Sequence, residues 1–148
     1  MTEVEFWSRF QLFFLWGLEA WRLPPLLTTG LASLTSLVLS LFRSPEIKSH
    51  WRTSYWLIFT QLSFYPLAIA VGVLFQAAST PPFDQSRSNS LGEHILDAIT
   101  LLSLGMASFW VYRMKGLRWL AGSLVVLEEV IVWGALFVAG MSVTGDWL

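Results

Sequence analysis

The chain has no cysteine and is short of charged residues. Without cysteine, disulfides, thiolate metal sites and cysteine nucleophiles are excluded. Charged side chains make up 13% of the 148 residues, whereas a soluble domain carries roughly 25%. Hydrophobic residues reach 55%. The missing charge and the apolar excess indicate that lipid is the solvent for much of the surface, so membrane lipids are expected partners.

The sequence also lacks an excess of positive charge and any familiar catalytic motif. A net charge of −1 and a pI near 6.1 give no reason to expect a nucleic-acid partner. There is no Walker-type or dinucleotide glycine pattern, no zincin motif and no nucleophile elbow. No cofactor is therefore expected, and the sequence leans away from an enzyme.

What the sequence does contain is a set of long apolar runs. A hydrocarbon core takes about 20 mostly apolar residues to cross, and helices satisfy their own backbone in lipid. The sequence predicts an all-α, polytopic integral membrane protein, a four-transmembrane-helix bundle forming a single membrane domain over residues 1–148. The four predicted transmembrane helices are 25–42, 54–76, 93–112 and 118–141.

The segment 5–22 predicts an N-terminal amphipathic helix in the membrane interface. An apolar stripe at helical spacing lies opposite three charged residues, which is typical of such helices. The stripe consists of Trp7, Phe10, Phe14, Leu18 and Trp21. Because Leu12 and Trp16 dilute the polar side, a helix packed against the bundle is the alternative.

Basic residues fall unevenly on the two sides of the predicted bundle. One side has Arg43, Lys48, Arg52, Arg113, Lys115 and Arg118. The other side has Arg9, Arg22 and Arg87. Positive residues stay cytoplasmic, so we predict that both termini and the loop 77–92 lie on the outer (periplasmic or extracellular) side. A bacterial inner membrane is the expected location.

Small and polar residues repeat at helical spacing on three of the predicted spans. In lipid, helices approach each other through small residues and interhelical hydrogen bonds, so these stripes are interpreted as packing seams. The first span has Thr29, Ser33, Ser36 and Ser40, and the second has Gln61, Tyr65, Ala68 and Gly72. The last has Ala121, Val125, Glu128, Val132, Ala135 and Ala139.

Two adjacent carboxylates, Glu128 and Glu129, interrupt the apolar run of the last span. Glu128 lies roughly 15 Å from the inner end of its helix, where a charged carboxylate costs at least about 2.5 kcal/mol. At least one of the two is therefore expected to be neutral. One hypothesis is a site for a proton, an ion or a cationic ligand. The other is a neutral acid that hydrogen-bonds to Gln61, Tyr65 or a serine of a neighbouring helix.

Gln61 and Tyr65 are candidates for ion or ligand binding together with the two acids, and so are three further residues. His94 and Asp97 are one turn apart near the outer end of the third span, where Asp97 could share a water-filled pocket with Glu129. A metal is not expected there, because zinc needs three or four convergent ligands. Trp133, in the last span, could hold a cation against its aromatic face, although a packed core tryptophan is the commoner case.

Three classes of function follow, in decreasing order of expectation. The first is a small membrane subunit or accessory protein that packs with a partner complex, or with itself as a homo-oligomer, through its small-residue helix faces. The second is a small oligomeric transporter or channel that uses the intramembrane carboxylates. The third is a membrane-embedded enzyme that acts on a lipid-soluble substrate with paired acids. The sequence names no catalytic residue.

Overall fold

A computed structural model describes residues 1–43, 60–76, 89–115 and 118–145, and within these ranges the chain is helical and contains no strand. Its main helices are α1 (Glu3–Glu19), α2 (Pro24–Arg43), α3 (Phe64–Leu74), α4 (Ser90–Arg113) and α5 (Arg118–Thr144). A 3-10 turn, Ala20–Arg22, joins α1 to α2. A helical turn, residues 60–62, precedes α3. The all-α prediction is confirmed for this part of the chain.

Two of the helices, α4 and α5, are long and apolar enough to cross a membrane. Two shorter apolar stretches, Pro24–Leu39 and Thr60–Leu74, match the other predicted spans in position. The predicted third span, 93–112, corresponds to α4, which starts three residues earlier because Asn89 caps it by accepting a hydrogen bond from the Gly92 amide at 3.3 Å. The start of the predicted span 54–76 and most of the loop 77–92 lie outside the described residues.

Helix α5 is central, since α1, α2, α3 and α4 all pack against it. The seam predicted for the last span is buried at every position, from Ala121 to Ala139. The seam predicted for the second span, from Gln61 to Gly72, is buried as well. On α2, Ser33 is buried and Ser36 shares a hydrogen bond of 2.7 Å with Ser123 of α5. The seams are therefore filled by contacts within the chain.

Thr29 is the exception among the described seam residues. It is exposed, and its hydroxyl donates to the Pro25 carbonyl of its own helix at 2.7 Å. A threonine that bonds back to its own helix has no need of a neighbour. The packed stripe on α2 is therefore shorter than the spacing predicts.

Helix α1 packs along α3 and α5, as in the bundle-packed alternative. Phe13 and Gly17 are buried, and the Tyr65 hydroxyl of α3 donates to the Phe14 carbonyl. The predicted apolar stripe is only partly right, because Trp7 is 53% exposed and Leu18 is 41% exposed. The packed face is rotated toward Phe6, Phe10, Phe13, Phe14 and Gly17. A position of this helix in a membrane interface stays a prediction.

The first turn of α1 is closed by a reciprocal capping box. The Thr2 amide donates to the Glu5 carboxylate at 2.8 Å, and the Glu5 amide donates to the Thr2 hydroxyl at 3.3 Å. The hydrogen bond from the Thr2 backbone, followed by that with its side chain, holds the pKa of Glu5 below its ordinary value. This arrangement satisfies two amides that helix geometry would leave unpaired.

Two glycines permit the closest helix contacts. At Gly72 of α3, an added Cβ would lie 2.7 Å from the Ala139 Cα of α5. At Gly134 of α5, an added Cβ would lie 2.5 Å from the Gly17 carbonyl oxygen of α1. In both cases the obstacle is backbone or is attached directly to it, so it cannot move aside as a flexible side chain would. These positions fix how closely α1 and α3 approach α5.

Contacts along the bundle give the helix directions. Gly72 of α3 lies against Ala139, and its carbonyl accepts from the Ser142 hydroxyl at 2.8 Å. The start of α4 meets the end of α5, where the Asn89 amide donates to the Val143 carbonyl at 3.1 Å. At the other end of α4, the Trp110 indole donates to the Thr60 hydroxyl at 3.2 Å. Helix α3 therefore runs parallel to α5, and α4 runs antiparallel to both.

Candidate functional site

Glu129 is held in the interior by side chains from two other parts of the chain. Its Oε1 atom accepts a hydrogen bond of 2.6 Å from the Ser103 hydroxyl of α4. The same oxygen accepts from Nε2 of Gln61, in the turn before α3. All three residues are buried. Glu129 therefore hydrogen-bonds to Gln61 and to a serine of a neighbouring helix, which are two of the partners that the second hypothesis names.

The Gln61 side chain is completely buried, and its amide nitrogen is hydrogen-bonded whereas its amide oxygen is not. Its Nε2 atom lies within hydrogen-bond distance of the Ser103 hydroxyl at 2.9 Å and of the Ser103 carbonyl at 3.2 Å, besides Glu129. Its Oε1 atom has no hydrogen-bond partner among the described residues. The amide nitrogen is thus fully used, while the amide oxygen faces the interior unpaired.

The helix that contains Gln61 continues into α3 but lacks one backbone hydrogen bond. Ser63, between residues 60–62 and α3, keeps helical backbone angles, with φ −64° and ψ −23°. Pro66 has no N–H and so cannot donate to the carbonyl of Leu62, four residues before it. The Leu62 carbonyl, next to Gln61, therefore lacks its usual helical donor.

Glu128 is buried without a hydrogen bond. It is 3% exposed, and neither of its carboxyl oxygens has a partner in the described part of the chain. Glu128 directly precedes Glu129 on α5, so two charged carboxylates here would repel each other. We call Gln61, Ser103, Glu128 and Glu129 the carboxyl cluster.

The carboxyl cluster has more acceptors than donors. Four buried oxygens have no hydrogen bond in the described ranges. They are Gln61 Oε1, Glu128 Oε1, Glu128 Oε2 and Glu129 Oε2. Buried polar atoms are nearly always paired, so these atoms call for protons on the carboxyl groups, for water or for a bound cation.

Tyr65 and Trp133 lie near the cluster without completing it. The Tyr65 hydroxyl is used by the Phe14 carbonyl of α1. Trp133 is 47% exposed, so it is not the packed core tryptophan that the sequence favoured. Trp133 lies one helical turn after Glu129 on α5.

Asp97 and His94 are placed away from the cluster. Both are exposed on α4, whereas Ser103 on the buried side of the same helix reaches Glu129. Asp97 is six residues from Ser103, roughly 9 Å along the axis, and points to another side. The predicted pocket between Asp97 and Glu129 is therefore not formed by the described residues.

Neither of two large grooves on the described surface reaches the carboxylates. One, of about 660 Å³, lies between α2 and α5 and includes Ser33, Ser36 and Arg118. The other, of about 430 Å³, lies beside the turn from α1 to α2. Neither is lined by Glu128 or Glu129. The described residues also contain no group of three or more His, Cys, Asp or Glu side chains that could hold a metal ion.

Ser103 is the cluster residue that the sequence analysis did not single out. It lies in the run LLSLGM, where a lone serine between leucines is commonly satisfied by its own helix. Its neighbours Thr100 and Ser108 do bond back to their own helix, at 2.8 and 2.9 Å. Only the placement of α4 beside α5 distinguishes Ser103 from them.

Comparisons with known proteins return no relative. The chain matches no protein-family model, no curated protein and no solved structure. Function must therefore be argued from the geometry of the carboxyl cluster and of the helices that carry it.

Proposed function

We propose that the chain is an integral membrane protein with four spans, at 25–42, 54–76, 93–112 and 118–141. The length and apolar character of α4 and α5 support this architecture, and so do the two shorter apolar stretches. The uneven basic residues favour both termini on the outer side, with a bacterial inner membrane as the proposed location.

Within this architecture, we propose that the carboxyl cluster binds and releases a small cation, either a proton or an alkali ion, in a small transporter or channel. The observation that carries the proposal is the group of four buried oxygens without hydrogen bonds in the described residues. Ionisable groups inside a membrane bundle are costly and usually mark ion or proton pathways. The Leu62 carbonyl beside Gln61, which Pro66 leaves without its helical donor, supports the same function, because backbone carbonyls freed from helical hydrogen bonding coordinate ions in transporters.

The other two classes gain less from the geometry. An accessory subunit was expected to dock through its small-residue faces, but those faces are packed inside the chain at nearly all described positions. A membrane-embedded enzyme would need a groove that admits a lipid-sized substrate to the acids, and the two described grooves do not reach them. A proton or an alkali ion needs a much narrower path than such a substrate.

A flux measurement tests the proposed function. The purified protein is placed in lipid vesicles, and proton and sodium gradients are imposed while internal dyes report each ion. We expect flux above that of protein-free vesicles and a loss of roughly tenfold or more in Glu129→Gln, because a charge-assisted contact is worth at least about 1.5 kcal/mol. Glu19→Gln, at an exposed position, is the matched control. Wild-type flux equal to that of empty vesicles would overturn the proposal.

A second candidate function, association with another copy or a partner protein, is favoured by one face of α4. This open face carries a histidine and an aspartate, together with leucine, serine and tyrosine side chains and an uncovered glycine. Its exposed residues are His94, Asp97, Leu101, Gly105, Ser108 and Tyr112. An added Cβ at Gly105 would meet nothing within 4 Å. An exposed carboxylate is expensive against lipid, so a protein surface over Asp97 would stabilise it.

Cysteine cross-linking tests this candidate cleanly, because the natural chain has no cysteine. We expect Gly105→Cys to form a disulfide-linked dimer under mild oxidation if a second copy covers the open face. Thr35→Cys, on the exposed side of α2, should remain monomeric. If a different protein covers the open face, a mass measurement in mild detergent should show that protein bound to the chain. If Gly105→Cys stays monomeric and the purified chain has its monomer mass, the open face contacts lipid and the candidate fails.

A further inference from the structure

We infer that the groove between α2 and α5 holds an anionic membrane lipid, with its phosphate at Arg118 and one acyl chain lying along the groove. The inference goes beyond the proposed ion function and rests only on the proposed membrane architecture. Three features of the groove carry it: its length, the chemistry of its walls and the charge at one of its ends.

The groove follows the two helices over a length that matches one leaflet of a bilayer. Helices α2 and α5 are antiparallel here, since Ser36 bonds to Ser123, and an added Cβ at Gly30 would lie 3.7 Å from a methyl carbon of Val130. The groove runs from the first residue of α5 to the level of Thr29, next to Gly30. This is about twelve residues of α5, or roughly 18 Å. A hydrocarbon core is about 30 Å thick, so one leaflet takes up about half of that thickness.

The walls of the groove are apolar, although several of their residues carry hydroxyl groups. Thr28, Thr29 and Ser33 donate to carbonyls one turn earlier in α2, at 3.0, 2.7 and 2.9 Å. On α5, Ser123 donates to the carbonyl one turn earlier at 2.8 Å and shares a hydrogen bond of 2.7 Å with Ser36. A hydroxyl that bonds back to its own helix presents mainly carbon to a neighbour. These walls therefore suit a hydrocarbon chain better than a polar ligand.

Small side chains leave the middle of the groove open. Gly122 lines it, and an added Cβ there would meet nothing within 4 Å. Ala32 of α2 and Val126 of α5 are exposed on its walls. A slender acyl chain can lie against these residues without displacing any of the described side chains.

One end of the groove is positively charged. Arg118 lines this end, and Arg113 and Lys115 lie close by in sequence, where α4 leads into α5. All three are exposed. The acidic residues of the described ranges are on α1, near the start of α4 and ten or more residues into α5. Basic residues between or beside transmembrane helices attract anionic lipids and bind their headgroups, so the charge complements a lipid phosphate.

Trp119 places the basic end at the level of the headgroups. It lines the groove next to Arg118 and is 84% exposed. Tryptophan is enriched where the hydrocarbon core meets the headgroups. In the proposed orientation this end faces the cytoplasm, and the cytoplasmic leaflet is the one with a negative surface potential.

The chain's own segment 44–59, which lies outside the described residues, complements the basic end less well. It contains one acidic residue, Glu46, and two basic residues, Lys48 and Arg52, so its net charge is +1. Like charges placed together oppose binding, whereas a lipid phosphate has the opposite charge. The charge at this end therefore favours a lipid as the occupant.

Photolabelling of the wild-type protein tests the position of the lipid. Phosphatidylglycerol with a diazirine in one acyl chain is added to the full-length protein in mild detergent and irradiated, and mass spectrometry locates the adducts. We expect adducts on the groove walls, at Ala32, Gly122 and Val126. Unlabelled phosphatidylglycerol should compete roughly fivefold better, or more, than phosphatidylcholine with the same chains, because one basic residue near the surface is worth about that factor for an anionic lipid.

Two pairs of variants separate the headgroup from the chain. Arg118→Gln should weaken competition by phosphatidylglycerol roughly fivefold, whereas Arg22→Gln, at an exposed position of the other groove, should leave it unchanged. Gly122→Phe fills the groove and should weaken both lipids roughly tenfold, which corresponds to losing the burial of about two methylene groups. Gly140→Phe, on the same helix and equally free of a clash, should have no effect.

The wild-type protein alone can overturn the inference, so the outcome does not depend on the folding of a variant. Adducts spread evenly over the exposed faces of the helices, or equal competition by the two lipids, would mean that the groove selects no anionic lipid. Adducts missing from the groove would mean that segment 44–59 or another protein surface covers it. If vesicle flux persists in either case, the ion function stands and the lipid site falls. If the lipid binds as expected but no ion crosses the vesicles, the lipid site stands and the ion function falls.

Discussion

Gly134→Val is expected to lower the free energy of unfolding by about 3 kcal/mol, the upper part of the range for overpacking a close contact. For a chain of this size, that corresponds to a fall in Tm of roughly 6–12 °C. The reason is local and steric. The Cβ alone would lie 2.5 Å from the Gly17 carbonyl oxygen. The two methyl groups of valine would add further volume where the two helices already touch. Helix α1 must then move away from α5, which separates the packed face of α1 from the core.

The same helix offers a matched control. At Gly140 an added Cβ would meet nothing within 4 Å, so Gly140→Val changes the same atoms on the same element without a clash. Its Tm should stay within a few degrees of wild type, since valine is a somewhat better helix former than glycine. Circular dichroism of the detergent-solubilised proteins during heating gives both values. Equal Tm values for the two variants would mean that α1 does not press against α5 at Gly17.

The packing of α3 and α5 could be predicted from the sequence because spacing alone determines a helix face. Small and polar residues at intervals of three and four identify the side that a neighbour can approach. All six seam positions from Ala121 to Ala139 are buried, together with several residues beside the seam. On these helices the other sides carry large apolar residues, so the small-residue stripe stands out.

Helix α1 shows where the same reasoning fails. Aromatic residues occur on all its sides, at Phe6, Trp7, Phe10, Phe13 and Trp16 among others, so periodicity cannot select one face. The charged residues that were used to orient the predicted stripe are exposed. They show which side of the helix is not packed, but they do not select the packed face among the other sides. Gly17 is the residue that decides, because it lets α1 approach the α5 backbone at Gly134. A single glycine among aromatic residues does not by itself predict that contact.

For the carboxyl cluster, the sequence predicts the acids and their partner types but not the partner helix. The sequence analysis names Gln61 and a serine of a neighbouring helix as possible partners of the acids, and both contact Glu129. Which side of α4 faces α5 depends on how α4 rotates during packing. That rotation buries Ser103 and exposes Asp97. The outcome is set by tertiary contacts that no local pattern contains.

The second large effect is expected from the hydrogen bond between Gln61 and Glu129. Gln61→Leu removes the amide and leaves the buried Glu129 carboxyl with fewer donors, which is expected to cost about 1–3 kcal/mol of unfolding free energy. Glu129→Leu removes an acceptor of the Gln61 amide, and we expect it to lower the free energy of unfolding by a similar amount. The double variant Gln61→Leu/Glu129→Leu removes both polar partners and fills the space with apolar atoms of similar size. It should lie closer to wild type than the sum of the two single variants.

A double-mutant cycle measures this coupling from the Tm or from reversible unfolding in detergent. We expect a coupling energy of about 0.6–1.7 kcal/mol, from the average to the largest value measured for side-chain hydrogen bonds in one membrane protein. Ser142→Ala supplies the control pair with Glu129→Leu, because Ser142 lies roughly 20 Å farther along α5 and donates to Gly72 instead. That pair should be additive. Additive costs for the Gln61 and Glu129 variants as well would mean that the amide and the carboxyl do not interact, and the carboxyl cluster would lose the contact that joins it to α3.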